Sequence, residues 1–207
     1  MSGSRKRKAV RAEPEEDWRS TLFFWRGELR GGAWEGAWVG SRAPAAPSAA
    51  QFAASASAFA AALTPPAPAA AAEAGLSCSV ASRYHLDQGD GRGLQEFADD
   101  AHHLVVAAGG LAAAAGANCF GAFVAVGHVT AGGGAEGSGG VLTLARRYVR
   151  EGDARARLRG EQGARAVLQQ YALPAAAGGE GGEPAWLAAL SRFVQGEKRQ
   201  RSGSRKE

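Results

Sequence analysis

Asn118-Cys119-Phe120-Gly121-Ala122-Phe123-Val124-Ala125-Val126-Gly127-His128-Val129, then a glycine-rich loop, then Val141-Leu142-Thr143-Leu144-Ala145-Arg146-Arg147-Tyr148-Val149: this stretch decides how the chain is read. Two runs rich in β-branched and aromatic residues flank a segment holding Gly132, Gly133, Gly134, Gly137, Gly139 and Gly140. That arrangement is the signature of a hairpin with a long loop. The first run is apolar on both faces, with Phe120, Val124 and Val126 on one and Phe123, Ala125 and Val129 on the other. It reads as the centre of a sheet that something covers from outside. The second run places Leu142, Leu144, Arg146 and Tyr148 on one face and Thr143 and Arg147 on the other, so one arginine is expected to face inward.

Outward from this stretch, further strands follow. Trp18 to Val39 forms a first hairpin turning at Gly31 and Gly32, with Phe23, Trp25 and Leu29 on one face and Leu22, Phe24, Arg26 and Glu28 on the other. Cys78, Val80, Ser82, Tyr84 and Leu86 alternate with Ser79, Ala81, Arg83 and His85 as in a sheet wetted on one side. Asp87 to Gly93 reads as a turn and His102 to Ala108 as another strand. Residues 43–73 are a low-complexity Ala/Ser/Pro segment, expected to be an insertion holding a short helix or an edge strand.

The fold expected is therefore mainly β: a small antiparallel barrel of about six to eight strands, up-and-down or partly open, over residues 18–149. Residues 150–197 form a helical C-terminal segment. Within it Trp186, Leu187, Leu190, Phe193 and Val194 follow Pro184 as an amphipathic stripe that covers the sheet or, through Trp186, Leu190 and Phe193, binds a partner. The arms 1–17 and 198–207 are charged and expected to be disordered.

Those arms carry the basic charge. The chain is +4, yet residues 12–197 hold 14 basic and 19 acidic side chains, about −5. The Ser4-Arg5-Lys6-Arg7-Lys8 cluster suits a nuclear-import signal or a nucleic-acid contact as well as a solvated tail. Two distant cysteines, Cys78 and Cys119, exclude a dense disulfide framework, and an intracellular setting is the default. Leu104 to Val129 lacks charge over a length that spans a bilayer, but its strong hydrophobes are few and it holds Asn118, His128 and five glycines, which argues against a spanning helix.

The first hairpin repeats Gly-x-Trp at Gly32-Ala33-Trp34 and Gly36-Ala37-Trp38, and an arginine pair sits on the last strand. This resembles, over residues 18–149, the calycin pattern of lipocalins, avidins and fatty-acid binders. There a Gly-x-Trp near the first strand packs against a basic residue late in the barrel. The resemblance implies that Trp34 or Trp38 stacks on Arg146 or Arg147, a cation–π contact of about 0.5–2 kcal/mol. It leaves the alanine-rich segment outside the pattern.

No residue set converges on catalysis, a cofactor or a metal. Gly132-x-Gly134-x-x-Gly137 is followed by a strand, whereas a dinucleotide loop must open a helix. Adjacent His102 and His103 point to opposite faces of a strand, and Asp87, Asp90, Asp99 and Asp100 read as solvated turns. The leading expectation is a non-enzymatic protein-interaction module. A carrier of a small apolar ligand inside the barrel is the alternative. Nucleic-acid binding through the seven arginines of segment 146–165 is the third reading. The ligand or structural cluster expected is Trp25, Trp34, Trp38, Arg146, Arg147 and Tyr148.

Overall fold

The computed structural model describes residues 21–42, 45–89, 91–130 and 138–172, together with Leu190. Alternating large apolar and polar residues build β1 (Leu22–Arg30) and β2 (Ala33–Ser41), paired so that Trp25 lies opposite Trp38 and Leu29 opposite Trp34. After α1 (Ala49–Ala53) come β3 (Ala58–Thr64), α2 (Ala71–Ala74), β4 (Leu76–Asp87), β5 (Leu94–Val106), β6 (Leu111–Asn118), β7 (Gly121–Thr130) and β8 (Ser138–Tyr148). Each strand pairs antiparallel with the next and β8 pairs with β1, which closes an eight-stranded up-and-down barrel. Closure gives every strand two neighbours, although β5 meets β6 only over His103–Val106.

The expected faces hold in the first hairpin, in β4 and in β8. Three boundaries differ from the sequence reading. The alanine-rich segment is no mere insertion, because β3 is a full stave between β2 and β4. Phe59 of β3 enters the core, while Phe52 of α1 packs on the outside. The uncharged stretch 104–129 is the end of β5, all of β6 and most of β7; Phe120 belongs to the turn between the last two and not to a strand. The β5 strand begins eight residues before His102, at Leu94.

Two cores result. Inside the barrel, Leu29, Trp34, Leu63, Val106, Val129 and Leu142 fill one end, which α2 closes with the fully buried Ala71. Outside, Val105, Ala113, Ala115, Val124, Val126 and Ala145 lie beneath Ala164 and Val167 of α3 (Gly160–Val167) and Leu168 and Tyr171 of the π-turn that continues it. This layer is the covering that the two-faced apolar strand β7 requires. Leu190 is buried in it as well, whereas Trp186 and Phe193 lie outside the described residues. Strand β6, Leu-Ala-Ala-Ala-Ala-Gly-Ala-Asn, forms despite the helix preference of alanine because its short side chains let α3 sit close. Among the described residues no helix is long and apolar enough to cross a membrane.

Candidate functional site

The other barrel end is open. The starts of β1 and β5 and the ends of β2, β4 and β8 surround it, with the turn between β6 and β7. A cavity of about 370 Å³ enters there, lined by Phe23, Trp25, Trp38, Tyr84, Leu86, Gln88, Phe120, Arg146 and Tyr148. A broader cleft of about 780 Å³ lies outside, on the β1–β2 hairpin against Phe52, but its charges alternate (Arg26, Glu28, Arg30, Glu35) and do not converge on a point.

Local sequence explains each wall. Trp25 and Trp38 are cross-strand partners with ring centroids 6.0 Å apart at 22°, and Phe23 meets Trp38 edge-on at 5.9 Å. Beyond the start of β3 the rim between β2 and β4 is bridged by the Trp38 indole, whose Nε1 donates to the His85 carbonyl at 3.2 Å. The glycine of Gly36-Ala37-Trp38 is needed because a Cβ there would stand 2.0 Å from the Arg26 carbonyl oxygen. At the far rim the Asn118 side-chain oxygen accepts from the Phe120 backbone N–H at 3.0 Å, an Asx turn that presents Phe120 to the cavity.

The floor is polar. Arg146 lies with its guanidinium carbon 4.4 Å from the Trp25 ring centroid and 4.0 Å from that of Phe123, and its Nη1 donates to Asp99 Oδ2 at 2.7 Å. Asp99 also accepts from Ser82 Oγ at 3.2 Å and from Asn118 Nδ2 at 2.7 Å, and the Asn118 amide donates to the Tyr148 hydroxyl at 2.8 Å. Burial pushes the Asp99 carboxyl up, but the Arg146 guanidinium and the Asn118 hydrogen bond outweigh it and hold the carboxyl below its ordinary range. Burial raises the Tyr84 and Tyr148 hydroxyls, and nearby Asp99 adds to the effect, so both stay protonated at neutral pH. Arg146 is held above its ordinary value: desolvation lowers it and the Asp99 carboxylate more than compensates.

The resemblance placed the stacked tryptophan wrongly. Arg146 does stack on a tryptophan, but on Trp25. Trp38 forms the rim, and Trp34 sits at the closed end against Phe59, with ring centroids 4.6 Å apart. Arg147 points to the outer layer and is buried there. Asp99, read as part of a solvated turn, is 4% exposed and internal. The cause is a bulge: Val80 pairs with His102 but Ser82 with Asp99, so β5 spends three residues where β4 spends two. Both Asp99 and His102 therefore face inward. The His102 ring packs edge-on against Phe123 at 5.2 Å, while His103 faces out to Ser77. Gly116 clears space for this packing; a Cβ there would stand 2.4 Å from His102 Cβ and 2.9 Å from Phe123 Cζ.

The arginine-rich segment divides between interior and surface: Arg150, Arg157, Arg159 and Arg165 are exposed and the other three are buried. Arg146 is inside the barrel, Arg147 is buried outside it, and Arg155 is buried with hydrogen bonds to Asp153 at 2.6 Å and the Tyr171 hydroxyl at 3.0 Å. Arg165 pairs with Glu161 one helical turn away. Among the described residues no three His, Cys, Asp or Glu side chains gather as metal ligands.

No protein-family model, curated protein or solved structure matches this chain. Architecture therefore stands on its own geometry: a closed antiparallel eight-stranded barrel, which agrees with the calycin pattern at that coarse level.

Proposed function

We propose that the chain binds a small apolar molecule in the open mouth of the barrel, as a non-enzymatic carrier or sensor. One observation carries the reading: six of the nine described residues lining the cavity are aromatic, and they stand over a floor whose polar groups satisfy one another. A volume of about 370 Å³ falls within the range of about 300–1,000 Å³ used by small-ligand sites. The finer calycin likeness belongs to the same reading only in part: Trp38 of the second Gly-x-Trp rims this mouth, while the last-strand Arg146 stacks on Trp25, outside both Gly-x-Trp pairs.

The test uses aminoanthracene, whose emission rises in apolar surroundings. A saturable rise at one site per chain is expected, with Leu86→Trp weakening binding about tenfold by filling the mouth while leaving the melting temperature unchanged. No rise, or equal affinity in a folded Leu86→Trp chain, would overturn the reading.

A further inference from the structure

Resting on that reading, we propose that the cavity's ligand is an uncharged, flat aromatic molecule carrying a hydrogen-bond acceptor at its inner end. Charge is the first argument. Among the described residues Arg146 is the one charged member of the lining, and its counter-ion Asp99 sits behind it at 2.7 Å with a side chain that is 0% exposed. The floor is thus a neutral pair. A ligand carboxylate would leave water for a cation already matched, and a ligand ammonium would meet the guanidinium with the carboxylate hidden; both are costly in an apolar site.

Polarity within the floor is the second argument. A guanidinium only donates hydrogen bonds, whereas Asp99, the floor's strong acceptor, already receives Arg146, Ser82 and Asn118. A carbonyl or ether oxygen therefore suits this floor better than a donor does. Shape is the third: Trp25 and Trp38 lie within 22° of parallel, and Phe23 stands at 61° to Trp38, so the walls offer both ring faces and ring edges.

The experiment titrates the full chain by calorimetry with four probes sharing one ring system: acetylnaphthalene, ethylnaphthalene, naphthoate and naphthylmethylammonium. Acetylnaphthalene is expected to bind about tenfold tighter than either ion and about fivefold tighter than ethylnaphthalene. Asp99→Asn removes the counter-charge and is expected to shift preference about tenfold toward naphthoate; should that variant fail to fold, the four probes on the unaltered chain decide alone. Naphthoate binding tightest to the unaltered chain would overturn the proposal and leave the cavity reading standing, as would equal affinity for the acetyl and ethyl compounds. Binding of none of the four would overturn both.

Discussion

Asp99 Oδ2 and Arg146 Nη1 lie 2.7 Å apart inside the barrel, 47 residues distant in sequence and joined through no shared strand pair. The contact ties the bulge of β5 to the end of β8 across the interior. It holds the guanidinium between the Trp25 and Phe123 rings. Removing one partner leaves the other charge buried and uncompensated. Asp99→Ala is expected to cost about 3–5 kcal/mol in urea unfolding, and Asp99→Leu combined with Arg146→Met to cost less than either single change. A double variant as unstable as the sum of the two would show that the residues do not act as a pair.

The same pair sets an acid limit. The Asp99 carboxyl is depressed in the folded chain, so its stabilisation is fully present above the unfolded value of about 3.9. It is lost as pH falls below that value and through the folded one. Stability measured by urea midpoint is expected to drop steeply below about pH 4, and less steeply in Asp99→Asn. Identical acid slopes in both proteins would place the labile carboxylate elsewhere.

Packing around His102 and Phe123 gives an independent check on the register. Gly116→Ala inserts a methyl 2.4 Å from His102 Cβ and is expected to destabilise the chain by about 1–3 kcal/mol. Gly32→Ala meets only the Leu63 carbonyl at 3.9 Å and is expected to change stability by less than about 0.5 kcal/mol. Equal effects in urea melts would contradict the placement of β6 against β5.

Much of this was legible from alternation alone. Trp25 and Leu29 inward, Cys78 through Leu86 inward and Arg146 beside Tyr148 inward all follow from a period of two, and a closed barrel follows from strands that each need two neighbours. What alternation hides is anything that resets it. Asp99 looked like turn chemistry because a bulge two residues later shifts the faces of β5, and a bulge leaves no compositional mark in this stretch. The β3 stave was hidden by alanine, which carries neither strand preference nor a face of its own; Phe59 and Leu63 were its only signals. Which tryptophan meets Arg146 depends on stagger between β1 and β8, a quantity set by barrel closure and invisible in any single strand.

The central claim is that the aromatic mouth receives a small molecule. The most direct measurement is a proton–nitrogen correlation NMR titration of the full chain with acetylnaphthalene, following the indole N–H signals of Trp25, Trp38 and Trp34. Binding in the mouth predicts saturable shifts for Trp25 and Trp38, which line it, with smaller movement of Trp34 at the closed end. Unmoved Trp25 and Trp38 signals, or shifts confined to residues of the outer layer such as Val167 and Leu168, would contradict it.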